Sequence, residues 1–364
     1  MLKYLLAFII FVHGLIHIMG FARAFGYGNI TQLTKHISKP VGSIWLLACM
    51  LFVIAAIGLI MKKDGWPVLA LLAVVISQML IFTSWTAAKF GTIANMVIMV
   101  AAILSGGSIH FERSWKKDVK ENLQRTNTLK TGLLTEVDLS HLPEPVKNYL
   151  KYAGVLNKPK VKNMRLVFEG DMREKGKDFF PFTCEQYNSF DEPTRLFFMK
   201  ATMKGITVPG YHKYNNAIAT MDIRLFGLFP VVKQAGDIMN KAETVTVFND
   251  MCLMAPATLV DKRIQWQAID NHSAKAIFTN HGISIAATLF FNDKGQLIDF
   301  LSNDRAAVAD MKQYPFSTPV KDYKNINAVN IASYGEAVWH YPNGKFTYGK
   351  FRLKEVEYNV TELK

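Results

Sequence analysis

Two histidines four residues apart, His13 and His17, lie in the first apolar stretch of the chain, and Gln78 and Asn95 lie in the third and fourth. An i, i+4 pair shares one helix face, so both imidazoles can converge on one metal ion, haem or proton, or on amides of neighbouring helices. Leaving such groups unpaired in hydrocarbon costs on the order of several kcal/mol, so each needs a partner. The metalloprotease pattern H-E-x-x-H is absent because Gly14, Leu15 and Ile16 separate the histidines. No acidic residue lies within an apolar stretch to complete a metal shell. Two readings stay open: interhelical hydrogen bonds to Gln78, Ser77 or Asn95, and an intramembrane redox, metal or quinone site at His13 and His17. No metal site is assigned, and the identity of any cofactor is left open.

Beyond residue 110 the polar candidates are Tyr211-His212, Trp266, His281, Asp304-Arg305, and Glu336 with His340. Tyr211 and His212 follow Pro209-Gly210, which reads as a turn that would set both at a cavity rim. Asp304-Arg305 reads as a local ion pair or turn at a strand end, or as an arginine for a lipid headgroup. Trp266 reads as core or as a stacking platform, and His340 as a surface histidine or as a base. Tyr211, His212, Trp266 and Arg305 are the ligand-binding candidates. No G-x-S-x-G elbow, Walker A loop, dinucleotide fingerprint or C-x-x-C pair occurs, so no catalytic residue is assigned. Cys49, Cys184 and Cys252 are too few for a disulfide framework.

The elements that hold these side chains begin with four apolar runs in the first 110 residues, Tyr4–Phe21, Ser43–Met61, Trp66–Trp85 and Thr92–Ile109. Each approaches the roughly 20 residues needed to cross about 30 Å of hydrocarbon as a helix. This segment holds one acidic residue, Asp64, against seven Lys and Arg, and the remaining chain holds 28 acidic against 35 basic residues. The net charge of +13 therefore reflects loops near a membrane and does not point to nucleic acid. With four spans, Lys3, Lys62, Lys63, Arg113, Lys116, Lys117 and Lys120 share one side, and Arg23, Lys35, Lys39 and Lys89 the other. That bias predicts a cytoplasmic tail. Ala22-Arg23-Ala24 resembles a signal-peptide cleavage site, but the long apolar run with two histidines favours an uncleaved first helix. Trp45, Trp66 and Trp85 fall at span ends and predict headgroup anchors, and the loop Phe25–Gly42 predicts a cap on the bundle.

The remainder predicts a juxtamembrane helix over 111–125, whose Arg113, Lys116, Lys117 and Lys120 would face anionic headgroups, and a second helix between Pro143 and Gly154. From Pro159 the period becomes two: Met164, Leu166 and Phe168 alternate with Arg165 and Glu169, and Ala219, Met221 and Ile223 with Thr220 and Asp222. Lys175-Gly176-Lys177, Asn215-Asn216, Asn292–Gly295 and Pro342–Lys345 predict hairpin turns. About ten strands are expected between Pro159 and Tyr358, interrupted by a helix over 237–253 that buries Met239, Ala242, Val245, Thr246 and Phe248. An antiparallel sheet of that size must curl, and its concave face must be covered by a helix or a ligand.

Gly14–His17, Leu33–Pro40, Ser77-Gln78 and Lys89–Asn95 resemble the membrane half of an uncharacterised bacterial multi-pass membrane protein family. Leu142–Val146, Trp266, Phe300–Arg305 and Tyr334–Trp339 are similar to the soluble domain of unknown function that accompanies it. The resemblance spans nearly the whole chain and carries over no activity and no catalytic residue. More loosely, a curved meander with helices in its mouth resembles the half-barrel of bacterial lipoprotein-carrier proteins, a likeness of fold that does not fix function.

The sequence thus predicts an α+β protein: a four-helix transmembrane domain over 1–110, a linker over 111–131 and a β-rich soluble domain over 132–364. The expected function is binding or handing on a lipid or other apolar molecule by the β-domain. The alternatives are the intramembrane redox, metal or quinone site and a structural or assembly partner. The bilayer is the expected partner, and nucleic acid is not.

Overall fold

The structure, a computed structural model, describes residues 2–28 and 30–364. Its contacts divide the chain into one unit running to Phe111, with Phe226–Leu228, and a second of Glu112–Leu225 with Phe229–Lys364.

The first unit is helical: α1 (Leu2–Ile16), α2 (Ile18–Phe25), α3 (Lys39–Ile60), α4 (Trp66–Thr83), α5 (Trp85–Ala88) and α6 (Gly91–Asn127), whose later turns belong to the second unit. Leu2–Phe25, Lys39–Ile60, Trp66–Thr83 and Gly91–Asn127 are long and apolar enough to cross a membrane. Their outer faces suit lipid, since Phe8, Val68, Met79 and Ile93 are 63%, 61%, 63% and 63% exposed. Helices approach closely where side chains are missing: a Cβ on Gly14 would meet the Phe52 Cβ at 2.7 Å, and one on Gly20 would meet the Trp45 ring at 2.1 Å. That contact corrects the anchor reading of Trp45, which is 3% exposed; Trp66, at 5%, is also core, while Trp85 at 47% remains outside. The loop before α3 closes over the bundle by burying Leu33 and Ile37 against Trp45 and Leu80, and its described residues form no helix.

The second unit holds α7 (Glu144–Ala153), α8 (Asp237–Met254) and sixteen strands among the described residues. The strands are β1 (Asn163–Met172), β2 (Phe180–Ser189), β3 (Thr194–Met203), β4 (Ile206–Asn215), β5 (Ile218–Leu225), β6 (Phe229–Ala235), β7 (Ile264–Asp270), β8 (Ser273–Asn280), β9 (Ile283–Phe291), β10 (Leu297–Ser302), β11 (Ala306–Ala307), β12 (Lys312–Gln313), β13 (Phe316–Ser317), β14 (Val320–Ile326), β15 (Val329–Tyr341) and β16 (Gly344–Tyr358). Their number exceeds the roughly ten expected, and three of the extra strands, β11, β12 and β13, have two residues each and leave no periodicity to read. One curled antiparallel sheet runs β6-β5-β4-β3-β2-β1-β16-β15-β13-β10-β9-β8-β7, with β14 paired to β15. All four expected hairpin turns connect neighbouring strands of it.

This order dictates where α8 goes. The chain leaves the sheet at one edge, β6, and re-enters at the other, β7, so the connection must cross a face. Helix α8 crosses the concave face and touches β4, β5, β9, β10 and β15 on the way. It buries Met239, Ala242, Val245, Phe248, Met251 and Cys252, stacking Phe248 on Phe278 at 5.2 Å, whereas Thr246 is only half-buried. On the other face of the sheet, the end of α6 buries Trp115, Val119 and Leu123; the Trp115 indole N–H donates to the Leu196 carbonyl at 3.1 Å. Of the lysines expected to face headgroups, Lys116 pairs with Glu112 at 3.1 Å and Lys117 with Glu121 at 3.8 Å. Cys184 and Cys252 are free, buried thiols.

Candidate functional site

The polar residues of the apolar helices meet. His13 comes from α1, Ser77 and Gln78 from α4, and Thr92 and Asn95 from α6, while His17 occupies the break between α1 and α2. The break is a local tightening in which the His17 N–H bonds the Gly14 carbonyl at 3.0 Å, one residue short of the helical partner. Phe52 of α3 lies edge-on to the His13 ring at 5.0 Å, and Trp45 lies 5.3 Å from the His17 ring. His13, His17, Ser77 and Asn95 are 5%, 2%, 0% and 2% exposed, so their bonds must be made within the protein.

Donor and acceptor roles follow from consistency. The His13 carbonyl can only accept, so the His17 Nδ1 bonded to it at 2.9 Å carries the hydrogen. In the neutral ring Nε2 is then an acceptor, and the Ser77 hydroxyl donates to it at 2.9 Å. Ser77 Oγ in turn accepts from Asn95 Nδ2 at 3.0 Å, and the second Nδ2 hydrogen goes to Gln78 Oε1 at 3.1 Å. Asn95 Oδ1 is therefore the acceptor facing His13 Nε2 at 2.9 Å, with Ser77 Oγ a longer second contact of that nitrogen at 3.4 Å. Gln78 Nε2 donates to Thr92 Oγ1 at 3.1 Å. One set of hydrogens, with both imidazoles neutral, satisfies every bond.

Outside this network lies a groove of about 490 Å³, within the roughly 300–1,000 Å³ of small-molecule sites. Val74, Val75, Met79, Phe82, Trp85, Met96 and Met99 wall it, and Gln78, Thr92 and Asn95 line its floor, so that its surface is almost wholly apolar. Gln78 lies five residues before the end of α4 and Thr92 is the second residue of α6. At about 1.5 Å per residue, the floor is thus roughly 8 Å or less from the helix ends. The wall residues and Thr92 escaped sequence reasoning, although Thr92 precedes Asn95 by three positions and so shares its face.

The second unit divides its candidates. Pro209 and Gly210 lie within β4 rather than in a turn, and the strand sends Tyr211 and His212 to opposite faces. The Tyr211 hydroxyl donates to Asp118 at 2.6 Å, beside Lys213 on the same carboxylate at 2.8 Å; burial and that bond push the phenol up. His212 packs on Phe197 at 5.4 Å with its Nε2 buried and unpartnered among the described residues. Burial first, then the charges of Arg195 and Arg305, push this imidazole down to about 3. Asp304 does not pair with Arg305: it takes Lys241 at 2.7 Å and the Ala286 N–H at 2.8 Å. The Arg305 guanidinium lies over Phe316 at 3.9 Å and near Trp339 at 5.4 Å. Trp266, half-buried at the far edge of the sheet, donates to the Leu259 carbonyl at 3.2 Å and joins neither. His340 Nε2 meets Ser317 Oγ at 2.8 Å, and burial and then Lys345 lower its pKa.

Sequence reasoning also missed the buried charges under α8. Arg195 on β3 reaches Asp250 at 2.9 Å and Glu243 at 3.3 Å, and Asp250 further accepts from Gln186 at 2.7 Å and Asn188 at 3.0 Å. Their spacing in sequence gives no signal of this meeting.

No curated protein matches the chain. Among solved structures it is similar to a LolA superfamily protein from Nitrosomonas europaea, at 6% identity and a TM-score of 0.34, over 58% of this chain and 93% of that one. Residues 132–351 match a family of unknown function, DUF6544, and the chain belongs to that family.

Proposed function

We propose that the protein is a membrane protein that holds a lipid or other apolar molecule in the groove between α4 and α6. The observation that carries this reading is a single groove of that size walled by apolar side chains, with Gln78, Thr92 and Asn95 at its base. The concave face of the sheet, which the sequence left to a helix or a ligand, is taken by α8. The polar network supports the reading from below: by bonding Asn95 from behind, His13 and Ser77 fix the floor in place. In the bacterial inner membrane that the resemblance to a bacterial family implies, the bias of Lys and Arg supports the β-rich unit on the cytoplasmic side.

The test is native mass spectrometry of the full chain released from mild detergent, with organic extraction of what co-purifies. A stoichiometric apolar adduct is expected, and Met96→Trp, which fills the groove, should remove it. An adduct that persists in Met96→Trp, or no adduct under any detergent, would sink the groove reading.

A second reading places an anionic headgroup in the β-domain. Arg305 has no carboxylate partner among the described residues, and the unpartnered His212 Nε2 lies within reach of its charge. Inorganic phosphate should then raise the melting temperature of the full chain but not of Arg305→Met; equal shifts in both would dismiss it.

A further inference from the structure

We infer that the β5–β6 hairpin is a lipid anchor, seated in the bilayer where the hydrocarbon meets the headgroups; this rests on the reading of the apolar helices as membrane spans and is independent of the groove. The hairpin is built from Leu225-Phe226-Gly227-Leu228-Phe229-Pro230-Val231-Val232, eight residues without a polar side chain. A strand with one buried face alternates apolar and polar residues, and this run does not. Its second arm leaves Phe229, Pro230 and Val231 exposed in succession, with Phe229 at 59% and Val231 at 64%. A β-bulge is the cause: the ladder pairs Arg224 with Pro230 and Ile223 with Val232, so Val231 has no residue opposite it. Three consecutive apolar residues turned outward call for an apolar cover.

The tip of the hairpin names the bilayer as that cover. Phe226–Leu228 belongs by its contacts to the unit of apolar helices. It packs on α6 at a glycine: a Cβ on Gly107 would collide with the Leu228 side chain, and one on Gly227 would meet the Gly107 carbonyl oxygen at 2.6 Å. Gly107 lies two residues before the end of the apolar run Thr92–Ile109, so a span over that run sets the tip at its end, beside the headgroups. Charge agrees with an anionic surface there. Arg224 is held by Asp222 at 2.6 Å, but Lys233 closes the run and Lys204 tops the neighbouring β3–β4 turn, both exposed. That turn adds Met203 and Ile206, 37% and 41% exposed. The backbone sets the depth: β6 is an outer edge of the sheet, and its outward amide groups find partners among headgroups and water but none in hydrocarbon.

The test uses the full chain in nanodiscs of phosphatidylcholine and phosphatidylglycerol, with one dye at a time on an introduced cysteine, since the native thiols are buried. Dyes on Phe229→Cys and Val231→Cys should lose emission to a lipid with doxyl near its glycerol, and less to one with doxyl at the chain end. Val231→Cys carries the test alone if Phe229→Cys fails to fold. Ile269→Cys on β7, the opposite edge of the sheet, is 54% exposed and should respond to neither lipid. Leu72→Cys in the middle of α4, 51% exposed, reports the spans and should respond most to the chain-end quencher. Quenching at Leu72 with none at the hairpin would overturn the anchor and leave the spans standing; no quenching at Leu72 would overturn the spans and the anchor together. Stronger loss to the chain-end quencher at the hairpin would overturn its placement near the headgroups. Hairpin dyes shielded from aqueous acrylamide yet untouched by either lipid would show a protein cover, such as a second copy, and would overturn the lipid assignment.

Discussion

His17 Nδ1 donates to the carbonyl of His13 at 2.9 Å, and this one bond sets the direction of the hydrogen bonds through Ser77 and Asn95 among the apolar helices. Because it leaves Nε2 as an acceptor, Ser77 must donate, Asn95 must give both amide hydrogens, and Asn95 Oδ1 must face His13. Asn95 consequently makes three bonds of 3.1 Å or shorter, whereas Ser77 makes two and a longer contact at 3.4 Å. Asn95→Leu should cost about 1–3 kcal/mol by leaving His13, Ser77 and Gln78 underbonded. Ser77→Ala should cost about 0.6–1.7 kcal/mol, the range for interhelical bonds in membrane proteins. Unfolding of the purified chain by a denaturing detergent gives the comparison; a neutral Asn95→Leu, or a Ser77→Ala as damaging, would break the argument.

The charges beneath α8 make the next prediction. Arg195 is buried between Glu243 and Asp250 and lies over the Phe197 ring at 4.5 Å. Arg195→Met would leave two carboxylates in the core without a cation, a loss of about 3–5 kcal/mol. Combining it with Glu243→Met and Asp250→Asn should recover most of that loss, because the desolvation penalty leaves with the charges. Thermal unfolding measures both, and a triple variant no more stable than Arg195→Met would show that the ionic contacts themselves hold the helix.

Asp299 gives the pH dependence. Burial raises its carboxyl to about 6, against the pull of the Phe300 and Thr318 N–H groups and of Lys345. The unfolded chain loses this proton first, near pH 4, so stability falls as pH rises from about 4 to 6 and the loss is complete above that. Discounted for partial solvent screening, the loss is about 1–2 kcal/mol. Asp299→Asn should remove that slope and be the more stable protein at pH 7. Melting curves between pH 4 and 8 decide it; parallel curves for the two proteins would refute the burial account.

The parts legible in the sequence were those with a period. Twenty-residue apolar runs announced the four long apolar helices, the four-residue step put His13 and His17 together, and alternation put Met164 and Leu166 into the core. Arg165 in the same strand was read as surface yet is buried, because Glu185, Glu355 and Glu357 from β2 and β16 converge on it across the sheet. Pro209-Gly210 misled for a local reason. Proline tolerates β4 because the pairing of β4 with β5 begins only at Gly210, so no neighbour on that side requires a donor from Pro209. The groove could not be read at all, since its walls are ordinary Met, Val and Phe whose gap exists only once α4 and α6 are placed.

The sidedness expected from the positive charges can be tested with introduced cysteines, because the native ones are buried. Cys49, Cys184 and Cys252 are all buried, and burial pushes the Cys184 thiol up to about 12, so none offers an accessible thiolate. Val137, 80% exposed, is a site for a reporter on the β-rich unit, and the exposed His36 is one on the loop between the first two spans. With the β-rich unit cytoplasmic, a membrane-impermeant maleimide should label Val137→Cys in inverted vesicles only and His36→Cys in right-side-out vesicles only. The reverse pattern would turn the protein over. Labelling of both from one side would contradict an odd number of crossings between them, and with it the assignment of all four apolar helices as spans.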